Sequence, residues 1–284
     1  MPNVAEKLKS GALVLHACGI TQPRREAASI LALALEKDKT FLVAHAEYEL
    51  SKKEEKHFDD FLMRRARREP FQYIAGKQEF YGLDFEVNRD VLIPRPETEL
   101  IVETAVEILK TRKNAFICEI GTGSGCISIA ILHELEKVSA IGLDISPKAL
   151  KVAARNAKYH QVAERLRLAL SDVFARLKTE KFDLIVSNPP YIPLEQIPSL
   201  QPEVRDFEPL PALTDGKNGL SIIERIALDA PKFLKPNGIL LMEIGYTQAQ
   251  QVSRLFSPEI WQQFEILPDL QGIPRMVKAK KGSG

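Results

Sequence analysis

The sequence predicts an α/β protein: an open sheet with helices on both faces, preceded by a small all-helical domain and a linking β-hairpin. Three observations carry this. Residues 1–75 show only helix-like apolar spacing, and residues 76–95 switch to short alternating strands. From 96 to 284 apolar strand-like runs then alternate with helical segments, the signature of a layered α/β sheet.

In the first region, 4–18, 24–37, 40–46 and 51–68 read as helices; Gly19 and Pro23 punctuate the first break and Pro70 ends the last. Gln78-Glu79-Phe80-Tyr81 and Asp84-Phe85-Glu86-Val87 flank Gly82, which predicts the hairpin. Ala115-Phe116-Ile117-Cys118-Glu119-Ile120 then reads as a buried strand. It runs into Gly121-Thr122-Gly123-Ser124-Gly125 and an apolar helix start at Cys126. Strand, glycine turn and helix make a nucleotide-binding layout. The dinucleotide fingerprint G-x-G-x-x-G fits in neither register, because Cys126 and Ser128 stand where its last glycine is required.

A second strand, 138–143, ends at Asp144, about 20 residues beyond the loop, where a ribose-binding carboxylate belongs in such units. Ser146-Pro147 is an N-cap followed by a first-turn proline. A third strand, 166–171, ends at Asp172-Val173, and a fourth, 182–187, at Asn188-Pro189-Pro190-Tyr191. This last group is a platform for a planar amino group. The Asn188 side-chain oxygen and the Pro189 carbonyl can accept two hydrogen bonds, the prolines lock φ and donate nothing, and Tyr191 offers a ring face. If the first and fourth strands flank the point where strand order reverses, Gly121 and Asn188 lie side by side, and a ligand held by the glycine loop faces the amino platform. Strands around 261–267 and 273–279 are expected to close the sheet as a hairpin with one antiparallel edge, followed by a frayed tail from Lys278.

Composition bounds the function. The 284 residues suffice for two domains, and 39 Lys+Arg against 38 Asp+Glu leave a net charge of +1, which argues against bulk attraction to nucleic acid. Three scattered cysteines suggest no disulfide framework and fit a reducing cytoplasm. The five histidines show no metal-ligand spacing with them, so no metal is expected. The apolar stretch 11–20 is too short for a membrane span. Arg64-Arg65-Ala66-Arg67-Arg68 reads first as a solvated helix face and second as a contact for an acidic partner or ribosomal RNA. The proline-rich stretch 193–218 lacks periodicity and, directly after the amide platform, is expected to be a substrate-facing lid.

Acid-x-G-x-G-x-G resembles the first motif of class-I S-adenosylmethionine (SAM) methyltransferases. Together with Ile93-Pro94-Arg95-Pro96-Glu97-Thr98-Glu99, Asn188-Pro189-Pro190-Tyr191 and the domain order, the whole chain resembles the HemK-type glutamine methyltransferases of class-I peptide-chain release factors. That resemblance implies a Rossmann-like mixed seven-stranded sheet in 96–284, a helical substrate-recognition domain in 1–75, and a linker in 76–95. It implies methylation of the side-chain amide nitrogen in the factor's Gly-Gly-Gln motif, with SAM as cofactor, S-adenosyl-L-homocysteine as product and a monomeric cytoplasmic enzyme. Gly121, Thr122, Gly123, Ser124, Gly125, Asp144, Asp172, Val173 and Asn188 would contact SAM. Asn188, Pro189, Pro190 and Tyr191 would hold the glutamine, with Asn188, Pro189 and Tyr191 catalytic. Val173 departs from the pattern, since many relatives have an aromatic ring there. Arg95, Glu97 and Thr98 either close over the cofactor or cap the following helix. The alternative activity is an adenine amino-methyltransferase acting on DNA or RNA, which would need base flipping and a basic cleft; a non-catalytic SAM-fold module is the third reading.

Overall fold

A computed structural model of the protein describes residues 1–283. The chain divides into two compact units, Met1–Gly76 with Gln201–Phe207, and Lys77–Leu200 with Glu208–Gly284.

The first unit holds α1 (Val4–Ala17), α2 (Pro23–Leu35), α3 (Lys39–Ala44), α4 (Lys52–Ala66) and α5 (Phe71–Ala75). Helices α1 and α4 start with reciprocal capping boxes, Asn3 with Glu6 and Ser51 with Glu54, so each satisfies two otherwise orphaned donors. Leu15, Ile30, Leu31 and Phe58 are fully buried between them. The short α5 begins directly after Pro70, where the sequence predicts the last helix of the region to end. A larger difference is Arg64–Arg68. Three of its four arginines are paired within the unit while Arg67 is exposed: Arg64 donates twice to Glu69, and buried Arg65 donates to Glu26 and Glu203 at 3.1 and 3.0 Å. Arg68 also reaches Glu203, at 2.8 Å. Glu203 lies in a short helix, Pro202–Arg205, inside the segment expected to be a lid.

In the second unit, β1 (Lys77–Phe80) and β2 (Leu83–Glu86) form the expected hairpin around Tyr81 and Gly82, both at positive φ as a tight two-residue turn requires. Phe80 and Phe85 are buried in the core of this unit. Next come α6 (Glu99–Leu109), β3 (Phe116–Ile120), α7 (Cys126–Glu134), β4 (Ser139–Asp144), α8 (Pro147–Tyr159), β5 (Leu166–Leu170) and β6 (Phe182–Ser187). In chain order α9 is the Pro202–Arg205 helix of the first unit. It is followed by α10 (Leu210–Leu213), α11 (Ser221–Phe233), β7 (Leu234–Glu243), α12 (Ala249–Ser253), β8 (Trp261–Pro268) and β9 (Pro274–Lys281).

The seven-stranded sheet has the order β5-β4-β3-β6-β7-β9-β8. All neighbours pair in parallel except those of β9, which runs against both β7 and β8. The antiparallel strand therefore lies one place in from the edge. The pleat sends alternate side chains to opposite faces: Ile117, Leu184, Val186 and Leu241 join α6 and α7, whereas Cys118, Ile185, Leu240 and Met242 join α11. Lys278–Lys281, expected to fray, belong to β9, where Lys278 and Ala279 pair with Leu241 and Leu240; Gly284 lies outside the described residues. Among the described residues no helix is long and apolar enough to cross a membrane.

Candidate active site at the carboxyl ends of β3 and β6

Strand order reverses between β3 and β6: the chain proceeds outward from β3 through β4 to β5, then returns to place β6 on the other side of β3. Ile120 is in register with Ser187, and the Ser187 hydroxyl donates to the Ile120 carbonyl at 2.8 Å. Both glycine loop and Asn188 therefore leave the sheet at one crevice. A Cβ placed on Gly121 would lie 3.7 Å from the Asn188 carbonyl oxygen, and Gly121 has φ +73°, so a side chain here would meet both strain and a neighbour.

A cavity of about 370 Å³ opens there. Gly121, Thr122, Gly123, Ser124, Asp144, Asp172, Val173, Asn188 and Pro190 line it. Gly125, Pro189 and Tyr191 are not in its lining. Gly125 instead begins α7 at φ +83°, and a Cβ there would come within 2.8 Å of Ile129 and 3.3 Å of Ala153, so this glycine permits close helix packing. Tyr191 packs into the core on the α11 face and donates its phenol to Glu243 at 3.1 Å. Its ring is thus a wall of the protein, not the open face foreseen. Burial and the neighbouring Glu243 both push the phenol's pKa up.

Asp144 ends β4 nearly buried. Its Oδ2 accepts from the Gly123 amide and its Oδ1 from the Ser146 amide, each at 2.8 Å. The carboxylate thereby ties the glycine loop to the start of α8, which Ser146 caps by accepting from the Ala149 amide. Each oxygen keeps lone-pair capacity for a further donor. Burial raises the Asp144 pKa, against the opposing pull of those backbone donors. Asp172 lines the cavity too, while its carboxylate pairs with Arg225 at 2.9 Å. Val173, at φ +50°, is held by a hydrogen bond from the Ser171 hydroxyl to its carbonyl.

Three further groups matter. Glu119, the acid of the glycine motif, is 1% exposed, lines the cavity and is pushed up to about 8 by burial. Thr98 does not cap α6 with its side chain; its hydroxyl donates to Glu243 at 2.7 Å and accepts from Asn188 Nδ2 at 3.0 Å. Glu243, at the end of β7, is buried, which raises its pKa. Nothing local in the sequence marks Glu243, which sits in an ordinary apolar strand. The proline-rich segment does reach the site: Pro209, Pro211, Ala212, Thr214 and Asp215 line the cavity, and buried Glu208 is paired with Arg95 at 2.6 Å.

A family model described as the PrmC N-terminal domain matches residues 6–76, and one described as a methyltransferase domain matches residues 111–272. The release factor glutamine methyltransferase of Koribacter versatilis is 39% identical over 268 residues, 94% of this chain and 94% of that one. The protein of the same name from Cereibacter sphaeroides is 41% identical, over 97% of this chain and 98% of its own. Among solved structures, a methyltransferase from Pyrococcus furiosus has a similar fold, with TM-score 0.54, 17% identity and coverage of 78% of this chain and 98% of that one.

Proposed function

The chain belongs to the release factor glutamine methyltransferase family, and we propose that the β3/β6 crevice transfers a methyl group from SAM to the side-chain amide nitrogen of the Gly-Gly-Gln glutamine. The observation that carries this is the juxtaposition of Gly121 with Asn188, which brings a cofactor loop and an amide acceptor to one cavity. The residues present fit SAM. Gly121 and Gly123 leave backbone room for its methionine part, Asp144 keeps acceptor capacity for ribose hydroxyls, and Val173 with Pro190 supplies apolar surface. Glu119 is a buried acid that ionises more readily once a cation stands beside it. Bound there, SAM supplies an electrophilic methyl on a sulfonium.

A carboxamide nitrogen is a poor nucleophile because its lone pair is delocalised, and its proton is not removed in advance near neutral pH. Asn188 Oδ1 and the Pro189 carbonyl act instead as acceptors for the –NH2, aiming its lone-pair face at the methyl. They take up positive charge as the nitrogen is alkylated, so the interaction strengthens toward the transition state. Holding the two reacting atoms at about 3 Å supplies much of the remaining acceleration. The S–CH3 bond breaks as the N–CH3 bond forms, the alkylated nitrogen gives up one N–H proton to water, and S-adenosylhomocysteine is the second product. A glutamine side chain offers little surface for choosing one protein among many. We therefore assign recognition of the release factor to the helical unit, where Leu13 and Val43 stand exposed. Leu13→Glu with Val43→Glu is expected to raise KM for the intact factor while SAM affinity stays unchanged.

The test is to incubate the protein with methyl-labelled SAM and, separately, release factor or adenine-containing nucleic acid, and to locate the label by mass spectrometry. A single methyl on the Gly-Gly-Gln glutamine is expected. Label on adenine, with the factor untouched, would replace the glutamine by a base as the acceptor.

A further inference from the structure

Glu243 is a buried carboxylate that the reaction described above does not use. It is 3% exposed at the end of β7, and its two oxygens take different partners: Oε2 accepts from the Thr98 hydroxyl at 2.7 Å and Oε1 from the Tyr191 phenol at 3.1 Å. Thr98 is 2% exposed and meets Asn188 Nδ2 at 3.0 Å. Four residues from three separate segments thus form one chain of hydrogen bonds behind the acceptor platform.

The direction of that chain follows from elementary donor and acceptor counting. Both Glu243 oxygens accept here, Oε1 from the Tyr191 phenol and Oε2 from Thr98, so Glu243 claims the single hydroxyl proton of Thr98. Thr98 Oγ1 then has only lone pairs to offer on its other side, and whatever stands there must donate. The Asn188 amide must therefore present its NH2 to Thr98 and turn Oδ1 away. Among the described residues Oδ1 has no donor, and Asn188 lines the cavity. The reverse rotamer would set an oxygen against the Thr98 lone pairs and an NH2 against the substrate's own NH2, a donor against a donor.

We propose that Thr98 and Glu243 are positioning residues for methyl transfer, fixing the Asn188 side-chain amide with its oxygen toward the acceptor nitrogen. This rests on the role given to Asn188 above. Tyr191 belongs to the same device: by occupying the second oxygen of Glu243 it leaves Oε2 with one rotamer and one partner. An amide with no such constraint has two orientations of nearly equal shape, of which one accepts the substrate and one repels it.

A double-mutant cycle tests this, with kcat on release factor, SAM affinity and Tm as readouts. Thr98→Val keeps the shape and removes the acceptor; kcat should fall about tenfold, the worth of one oriented hydrogen bond, while SAM affinity holds within about twofold. Thr98→Ser, which keeps the hydroxyl, should recover most of the loss. In an Asn188→Ala background there is no amide to orient, so adding Thr98→Val should cost less than about twofold in kcat, the coupling expected of residues acting through one another. Should Thr98→Val not fold, Glu243→Gln takes its place in the cycle. Its amide can donate to Thr98 and release the hydroxyl proton toward Asn188, so kcat falls in the wild-type background and not in Asn188→Ala. Equal losses in both backgrounds, or wild-type kcat in Thr98→Val, would overturn the proposal. Asn188→Ala alone at near wild-type kcat would instead overturn the role given to Asn188.

Discussion

The two halves of the cavity are built by different means. The cofactor half is mostly backbone: glycines at positive φ, and a single carboxylate, Asp144, that binds two amides of the turns on either side of it. These groups come from residues 119–146, one strand-turn-helix-strand unit, to which Val173 and Pro190 add apolar surface. The acceptor half is a relay of side chains, Asn188 to Thr98 to Glu243 with Tyr191, drawn from three separate segments. SAM is the same molecule in every turnover, so a rigid local loop suffices for it. An incoming protein amide has to be met by groups whose hydrogen-bonding direction is set in advance. The buried relay does that at the expense of holding a carboxylate away from water, which costs stability unless its bonds are kept.

The sharpest way to break this contrast is Asn188→Ala. Loss of a preorganised transition-state contact lowers kcat by about 10²–10³, or roughly 2.7–4 kcal/mol, whereas SAM affinity should change little. Asn188→Asp keeps an acceptor oxygen and should lie between Ala and wild type. Its extra carboxylate would, however, sit against Thr98, whose proton is already committed to Glu243. A folded Asn188→Ala enzyme with wild-type kcat would leave the acceptor half without its centre.

The converse experiment is Asp144→Ala. Hydrogen bonds to a charged acceptor contribute about 1.5–3 kcal/mol, so SAM affinity should weaken by ~10–100-fold in calorimetry, with kcat at saturating SAM much less affected. The same substitution releases the Gly123 and Ser146 amides. Asp144→Asn separates the two effects in part, because its NH2 cannot accept from either amide and its single oxygen serves only one. An Asp144→Ala enzyme that binds SAM as wild type does would remove this carboxylate from the cofactor half.

What could be read from the sequence follows the same division. The glycine loop, Asp144, the Ser146-Pro147 helix start and the Asn188 platform are local strings whose physics is complete within about ten residues. They announce themselves by residue type and spacing. Thr98 was legible only as a helix cap or a cofactor lid, because its partner Glu243 lies 145 residues away in an unremarkable strand. Tyr191 looks like a free ring face in the sequence for the same reason: the acid that holds its phenol inward is not near it in the chain. The basic run at Arg64–Arg68 misled in the opposite sense. A row of cations at a helix end looks solvated, yet Glu203, across more than a hundred residues, neutralises two of them. The proline-rich segment lacked periodicity because it performs two tasks in sequence, supplying Gln201–Phe207 to the helical unit and then lining the cavity from Pro209 onward.

That last pairing gives the smallest expected effect. Burial raises the Glu203 pKa, but hydrogen bonds from its own backbone amide, Arg68 and Arg65 outweigh burial and hold it below the usual carboxylate value. A depressed folded-state pKa stabilises the fold above the unfolded-state value, about 4.3 for a glutamate, and the contribution fades as pH falls through the lower folded value. Glu203→Gln is therefore expected to cost about 1–2 kcal/mol of stability near neutral pH, the low end for a charge-assisted pair because Arg65 keeps Glu26. In denaturant titrations the gap between variant and wild type should stay constant from pH 8 to about pH 5 and close only in stronger acid. SAM affinity should not move, since none of Gln201–Phe207 lines the cavity. A gap that instead widened toward acid would mean that Glu203 is held protonated, and that its two arginines stabilise the helical unit through packing of their stems and not through charge.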